Sequence, residues 1–345
     1  MISLLLAGGI SLGLSLLGTR YLIDWLRAHN VGQPIHADVP DGHTTKAGTP
    51  TMGGVAIVVA AVLGYGLAHL RGGLAFTRTG VLVMLAIAGA AVVGAVDDWI
   101  KVSHERNLGL SKRAKMGGLL TVAIGFAVAT VVWTDIETTL SFTRASEPGW
   151  ELGSVGWTIL AVLLIVGTTN AVNLTDGLDG LAAGSSIYGF LTFTVVAFWA
   201  FRHPDVYGVT HALDLAVVAA AMVGGITGFL WWNAPPAQVI MGDTGALAIG
   251  SGLAALALTL NVQLLLPIVG ALFVFETLSV ILQVGTFRLL GGRRVLRMAP
   301  VHHHFELAGW PETTVIVRFW ILAIMSMAVA LAIYYADWVS TGVPD

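Results

Sequence analysis

Long runs of apolar residues, separated by short polar stretches, dominate the chain. A helix needs about 20 predominantly apolar residues to cross the hydrocarbon core of a bilayer. Ten runs meet or approach that length, and they are Ile2–Trp25, Thr51–Leu70, Thr79–Val96, Met116–Trp133, Trp157–Asn173, Leu181–Phe201, Leu213–Trp232, Gly245–Leu260, Leu264–Phe287 and Val315–Trp338. The pattern therefore predicts an all-α integral membrane protein with about ten transmembrane helices.

The polar stretches between these runs are short. The longest are Leu26–Pro50, Thr134–Gly156 and Leu290–Thr314, and none can hold a soluble catalytic domain. We find no internal repeat and no long linker, so we expect one polytopic domain over residues 1–345. Any chemistry must then use side chains at the helix ends and in the loops.

Composition supports a membrane protein and excludes several other classes. Of the 345 residues, 56% are hydrophobic and 11% are charged, whereas an ordinary soluble domain carries about 25% charged residues. The formal net charge of -3 argues against a nucleic-acid binder. Because the chain has no Cys, it has no disulfides, no thiol catalysis and no cysteine-ligated metal.

The distribution of Lys and Arg predicts how the chain is oriented. Loops after odd-numbered runs hold eleven basic residues, and loops after even-numbered runs hold four. Cytoplasmic loops of membrane proteins carry an excess of Lys and Arg. We therefore expect the odd-numbered loops to be cytoplasmic and both termini to be extracytoplasmic.

Acids, amides, histidines and a lysine gather at the predicted cytoplasmic ends of the runs. They come from five separate segments and are Lys46, Asp97, Asp98, Asn170, Asn173, Asp176, Asp179, Asn233, Asp243, His302, His303 and His304. Ionisable side chains are costly near a membrane and commonly mark function. This convergence predicts an active site at the cytoplasmic face.

Some of these polar clusters also have a purely structural interpretation. Asp97 and Asp98 could be interfacial acids, and the basic loop from Lys101 to Lys115 could be only an anchor. The amides and acids from Asn170 to Asp179 favour a functional role, but a calcium loop is not indicated because the Glu at its twelfth position is missing.

Three further features allow more than one interpretation. The histidine tract lacks the spacing of a zinc site, so donors to an anionic ligand are favoured over zinc ligands or a structural cap. Thr49 and Pro50 predict a helix N-cap followed by proline, which beside Lys46 would suit a phosphate. Glu276, near the middle of the ninth run, could be a buried partnered acid, a kink or a proton relay.

Carboxylates and cations at a membrane face suit a metal-assisted reaction between phosphates. Attack of one phosphate on another meets charge repulsion, which a divalent cation and basic side chains offset. Mg²⁺ prefers oxygen ligands and shares them with substrate phosphates. The residues therefore indicate phosphoryl transfer to or from a lipid, without naming the sugar or the nucleotide.

Six motifs, in this order, resemble the phospho-N-acetylmuramoyl-pentapeptide transferases of the polyprenyl-phosphate N-acetylhexosamine-1-phosphate transferase superfamily. They are KAGTPTMGG from Lys46, Asp97-Asp98, NAVNLTDGLDGLA from Asn170, MGDTG from Met241, ETLSVILQVG from Glu276 and MAPVHHHFELAGWPE from Met298. The resemblance implies transfer of phospho-N-acetylmuramoyl-pentapeptide from its UDP derivative to undecaprenyl phosphate. It also implies lipid I and UMP as products, Mg²⁺ as cofactor, a bacterial inner-membrane location and a homodimer.

The resemblance also implies roles for particular residues. Asp243 is expected to be the main Mg²⁺ ligand, Asp97 the base or the group that orients the lipid phosphate, and Asp98 a support for substrate or metal. His302 and His303 complete the expected catalytic set. The expected substrate-binding residues are Lys46, Thr51, Lys101, Asn170, Asn173, Asp176, Gly177, Asp179, Asn233, Gln283 and His304. Ile240 stands where the family commonly has Phe, which leaves no aromatic ring there to stack on uracil.

Two other functions remain as alternatives. A sister enzyme would transfer N-acetylglucosamine-1-phosphate, but the sequence MAPVHHHFE argues against it. An ion-coupled transporter would use a midplane acid such as Glu276, yet transporters place such sites between repeats. For the transferase we favour direct attack by the lipid phosphate over a covalent aspartyl intermediate, because direct attack needs only positioning and charge neutralisation.

Both termini are predicted to be extracytoplasmic, which introduced cysteines can test because the chain has none. A cysteine placed near either terminus should react with a membrane-impermeant thiol reagent in intact cells. A cysteine in the loop between Lys101 and Lys115 should react only after the membrane is opened. A terminus labelled from the cytoplasmic side alone would refute the orientation.

Overall fold

The computed structural model describes residues 1–29, 48–70, 74–103 and 109–342, and almost all regular structure within them is helical. The helices are α1 (Ile2–Ala28), α2 (Gly54–His69), α3 (Arg78–Ser103), α4 (Lys112–Trp133), α5 (Gly153–Thr175), α6 (Leu181–Arg202), α7 (Pro204–Tyr207), α8 (Ala212–Asn233), α9 (Gly242–Thr259), α10 (Leu266–Val269), α11 (Ala271–Leu289), α12 (Val301–Leu307) and α13 (Glu312–Ser340). The strands are β1 (Thr139–Arg144) and β2 (Glu147–Glu151), which pair antiparallel.

Each of the ten predicted apolar runs overlaps one helix of 16 or more residues, so the helical class is confirmed. Within the described ranges, eight helices are long and apolar enough to cross a membrane, namely α1, α3, α4, α5, α6, α8, α11 and α13. Helix α2 has 16 residues, and α9 has 18 residues that are buried from Asp243 to Thr259. That these two helices also cross the membrane stays a prediction.

Helix α9 lies inside the helix assembly and packs against α2, α3 and α5. Outer helices such as α1 and α13 instead leave large apolar side chains exposed, including Leu17 and Val329. An outer surface of this kind suits contact with lipid. The polar groups of α9 are therefore the ones most completely surrounded by protein.

Glycine allows α3 and α9 to approach each other closely at one end of the assembly. A methyl group at Gly94 would lie 2.3 Å from the backbone oxygen of Asp243, a distance that no real side chain tolerates. Farther along the same contact, Ser251 of α9 donates to the backbone oxygen of Ala86 at 3.1 Å. The close approach places the last turns of α3 beside the first turn of α9.

The stretch Thr134–Gly156 was expected to be a loop, but the structure forms the β1–β2 hairpin there. The amide of Ser141 donates to Oε1 of Gln263 at 3.0 Å, and the amide of Leu264 donates to the Ser141 carbonyl at 2.9 Å. The hairpin therefore packs on the segment after α9, at the end of that helix remote from Asp243.

The expected N-cap at Thr49 and Pro50 is wrong, because α2 begins at Gly54. The segment before α2 instead runs beside the loop that precedes α9. The amide of Ile240 donates to the Pro50 carbonyl at 2.7 Å, and the amide of Gly53 donates to the Ile240 carbonyl at 2.9 Å. Backbone carbonyls of a distant loop thus take the place of a side-chain cap. Lys46 lies outside the described residues.

Candidate active site

Three buried carboxylates from two helices form the centre of the candidate site. Asp97 and Asp98 lie near the end of α3, and Asp243 lies in the first turn of α9. One oxygen of each carboxylate lies within 4.8 Å of the other two. All three side chains are nearly inaccessible to solvent. The predicted acids from different segments therefore do meet.

Two lysines compensate the negative charge of these carboxylates. Nζ of Lys101 lies 2.7 Å from Oδ2 of Asp97 and 2.8 Å from Oδ2 of Asp243. Nζ of Lys115 lies 2.7 Å from the same Asp243 oxygen. Buried carboxylates are costly unless they are paired. We name these five residues the acid–lysine cluster.

Lys115 was not among the expected site residues. Its signal in the sequence was the basic loop from Lys101 to Lys115, which is equally typical of a cytoplasmic anchor. Only the position of α4, which begins at Lys112, shows that this lysine reaches Asp243.

Asp98 caps the N-terminus of α9. Its Oδ1 accepts from the backbone amide of Asp243 at 3.1 Å, and its Oδ2 accepts from the amide and the hydroxyl of Thr244 at 2.9 and 2.7 Å. A carboxylate at a helix N-terminus satisfies otherwise unpaired amides and interacts well with the helix dipole. Asp98 thus holds the turn that carries Asp243.

The other two acids of the cluster face different partners. Oδ1 of Asp97 accepts from the backbone amide of Leu110 at 2.8 Å, which ties the segment before α4 to α3. Oδ1 of Asp243 accepts from the side-chain amide of Asn173 near the end of α5. Asn173 is therefore brought into the site as expected, whereas Asn170 donates to the Val166 carbonyl of its own helix at 2.7 Å.

Asp176 lies in the loop after α5 and is partly buried. Loss of water around its carboxyl raises the pKa well above the usual value, and the negative charges of Asp243, Asp98 and Asp179 raise it further. The loop therefore lies within the electrostatic field of the acid–lysine cluster. Removing negative charge from that cluster would favour ionisation of Asp176.

Asp179 and Asn233 join the loop after α5 to the loop before α9. The amide of Ala237 donates to Oδ2 of Asp179 at 2.9 Å, and the amide of Gly180 donates to Oδ1 of Asn233 at 3.0 Å. The side-chain amide of Asn233 donates to the Val239 carbonyl at 2.9 Å. Both residues thus have structural partners in addition to any ligand.

The histidine tract was expected in a loop, but it lies in the short helix α12. His302 is fully buried, with Nδ1 3.1 Å from Oε1 of Glu276. His303 is nearly buried, and its Nδ1 lies 2.7 Å from Oε2 of Glu306. In the described parts of the chain, Asp97, Asp98 and Asp243 are the one group of three or more His, Cys, Asp or Glu side chains close enough to hold a metal ion. A zinc site on the histidines therefore gains no support.

The remaining expected contacts are local. Nδ1 of His304 accepts from the amide of Arg297 at 3.0 Å. Oε1 of Gln283 accepts from the amides of Val295 and Leu296 at 3.1 and 3.0 Å, which fastens the loop after α11 to that helix. Thr51 is buried beside the start of α9, close to Gly242.

The fold and the site define a class: a multispanning helical membrane protein with buried carboxylates and lysines at its helix ends. In agreement, the family described as glycosyl transferase family 4 matches residues 80–261, and signature 1 of phospho-N-acetylmuramoyl-pentapeptide-transferase matches residues 46–58. A protein named phospho-N-acetylmuramoyl-pentapeptide-transferase from Thermobifida fusca is 48% identical to this chain, over 98% of the chain and 99% of the relative. Proteins of the same name from Frankia alni and Cutibacterium acnes are each 46% identical, over 99% of the chain and 99% of the relative. The chain belongs to the phospho-N-acetylmuramoyl-pentapeptide-transferase family.

Replacing Asp98 with Asn should destabilise the protein, because an amide accepts more weakly than a carboxylate from the donors at the start of α9. We expect the free energy of unfolding to fall by about 1–2 kcal/mol, as for loss of a helix cap. Thermal unfolding followed by circular dichroism measures it. Asp24→Asn is the control, because Asp24 pairs with Arg20 on an exposed surface. Equal melting temperatures for the two variants would contradict the capping role of Asp98.

Proposed function

We propose that this chain transfers phospho-N-acetylmuramoyl-pentapeptide from its UDP derivative to undecaprenyl phosphate, and releases lipid I and UMP. The observation that carries the proposal is the acid–lysine cluster, found in a chain of this family at the ends of apolar helices. This reaction would be the first membrane step of peptidoglycan synthesis. It needs charge neutralisation near a membrane surface, which the cluster can supply.

In the proposed reaction, a phosphate oxygen of undecaprenyl phosphate attacks the sugar-linked phosphorus of the UDP derivative. A new phosphorus–oxygen bond forms between lipid and sugar phosphate. The bond from that phosphorus to the bridging oxygen breaks, and its electron pair leaves with UMP. Because both reactants are anions, correct positioning and compensation of charge are the main requirements.

The residues present fit a divalent cation. Lys101 already places one positive charge between Asp97 and Asp243, so the position suits a cation held by oxygen atoms. Asp243 would hold Mg²⁺, with Asp97 beside it. When bound, Mg²⁺ would neutralise charge on the phosphates. Asp98 would keep Asp243 in place through the first turn of α9.

Other residues of the chain would bind and orient the substrates. Lys101 and Lys115 would face the phosphates once a cation competes for the carboxylates, and Asp97 would orient the lipid phosphate. His303 would donate to the diphosphate or the sugar. Contacts to the nucleotide-sugar are assigned to Asn170, Asp176 and Asp179. The other residues proposed to bind substrate are Lys46, Thr51, Asn173, Gly177, Asn233, Gln283 and His304.

The cytoplasmic side is the proposed location of this site. The acid–lysine cluster lies at the ends of α3 and α9 next to the loops that are rich in Lys and Arg. The proposed arrangement has ten membrane spans, both termini outside, in the bacterial inner membrane. A homodimer is expected from the family resemblance.

Release of UMP by the purified chain tests the proposed reaction. The assay contains UDP-N-acetylmuramoyl-pentapeptide, undecaprenyl phosphate and Mg²⁺, and we expect UMP and a lipid-linked sugar to form together. UDP-N-acetylglucosamine in place of the donor tests the sister activity. Turnover with that sugar alone, or no UMP with either donor, would contradict the proposal.

Replacing Asp243 with Asn should lower turnover mainly through loss of metal binding, because the amide keeps the shape and removes the charge. Raising Mg²⁺ should restore part of the activity. The UMP assay across a Mg²⁺ series measures this, with Asp205→Asn as a control at an exposed residue. Full activity of Asp243→Asn at low Mg²⁺ would exclude Asp243 as the ligand.

Replacing His303 with Ala should lower turnover about a hundredfold, since loss of one preorganised donor to developing charge costs roughly 3 kcal/mol. The protein should still fold, because alanine is favourable in the helix α12 that carries this residue. UMP release per folded molecule and a melting curve separate the two effects. His29→Ala, at an exposed position, is the control. A lower melting temperature with unchanged turnover would instead indicate a structural role.

A further inference from the structure

Glu276 and His302 form a fully buried pair between α11 and α12. Oε1 of Glu276 lies 3.1 Å from Nδ1 of His302, and neither side chain is exposed to solvent. Among the described residues, His302 is the one basic side chain at ion-pair distance from Glu276. A carboxyl group buried in an apolar helix is costly unless it is paired. His302 is the partner of Glu276 at ion-pair distance, although neither the carboxyl oxygens nor the ring nitrogens have a hydrogen bond of good geometry to a described residue.

The opposite edge of the His302 ring contacts the loop after α5. A methyl group on Gly177 would lie 2.3 Å from Nε2 and 2.9 Å from Cε1 of His302. Any side chain at residue 177 would therefore force the His302 ring or the loop to shift. Gly177 follows Asp176 and precedes Asp179 by two residues, so the ring touches the loop that carries both acids.

We propose that Glu276 and His302 are positioning residues that together hold residues 176–180 against the acid–lysine cluster. We call residues 176–180 the donor loop, because the nucleotide-sugar that donates the phosphoryl group is proposed to bind there. The proposal rests on the proposed function for what the donor loop binds. His302 is completely covered by protein in this arrangement, whereas His303 retains a small exposed fraction of 9%. His302 therefore acts through the loop, and the direct contact with substrate is left to His303.

The carboxylate of Glu276 has a specific task in this arrangement. For metal-bound histidines, a carboxylate beside one ring nitrogen fixes the orientation of the ring, and its loss commonly costs 10- to 100-fold in activity. The carboxylate of Glu276, at ion-pair distance from Nδ1, restricts the His302 ring in a similar way. Without Glu276 the ring could rotate away from Gly177. The donor loop would then lose its support, while the acid–lysine cluster would keep its own contacts.

Kinetics of three variants test this arrangement in the full-length chain. Glu276→Met should raise KM for UDP-N-acetylmuramoyl-pentapeptide roughly tenfold or more and leave KM for undecaprenyl phosphate nearly unchanged. Glu276→Gln, which keeps the shape and a weaker acceptor, should lie between this variant and wild type. Thr277→Val is the matched control, because the Thr277 hydroxyl donates only to the Phe273 carbonyl of its own helix.

A double variant separates action through His302 from an independent role. If Glu276 acts only through His302, Glu276→Met combined with His302→Ala should be no less active than His302→Ala alone. Multiplying losses would overturn the proposal. So would equal rises in both KM values, which a general loss of structure would produce.

Hydrogen exchange gives a readout that does not need turnover. The amides of Asp179 and Gly180 donate to Glu312 and Asn233 at 3.2 and 3.0 Å, so they report on the donor loop. In detergent micelles, peptides over this loop should exchange faster in Glu276→Met and His302→Ala than in wild type or Thr277→Val. If Glu276→Met does not fold, Glu276→Gln decides the question. Unchanged exchange in the folded variants would overturn the proposal, whereas an inactive wild type with faster exchange in the variants would count against the proposed function alone.

Discussion

The start of α9 depends on a carboxylate that comes from another helix. The first amides of a helix have no partner within it, and burial of those amides without an acceptor is costly. Asp98 supplies the acceptors, and the absence of a side chain at Gly94 lets α3 come close enough to do so. This contact sets the position of Asp243, and the rest of the acid–lysine cluster is assembled around that residue.

Charge compensation follows from the same contact. Three carboxylates within a few ångströms repel one another, and their burial increases the cost. Lys101, one turn after Asp97, and Lys115 of α4 offset the repulsion. A site that already balances several anionic oxygen atoms with ammonium groups can accept phosphates and a divalent cation by exchange of partners. That property connects the structure with phosphoryl transfer in this family.

The polar residues around the cluster divide into those that face it and those that hold loops in place. Asn173 contacts Asp243 directly. Asn233 and Gln283 use their amide groups to fasten backbone segments. Such fastening satisfies backbone groups of the loops that border the helical cluster, which have no partners within a helix. The Glu276–His302 pair belongs with this second group.

The apolar runs by themselves determined the class of fold, since runs of about 20 apolar residues have the length of membrane-spanning helices, which satisfy their own backbone polar groups. The motifs around Asp97, Asn170, Asp243 and His302 determined the family, because their residue types and order are specific. The runs and motifs do not predict which side chains pair, because pairing depends on contacts between helices that are far apart in sequence.

The tertiary structure decided three such pairings. Asp98 became a helix cap, Lys115 became a partner of Asp243, and His302 became buried against Glu276. It also replaced the expected cap at Thr49 with carbonyls from the loop before α9. In each case the deciding factor was a contact between segments far apart in sequence, which gave a buried polar or charged group a partner that its local sequence does not provide.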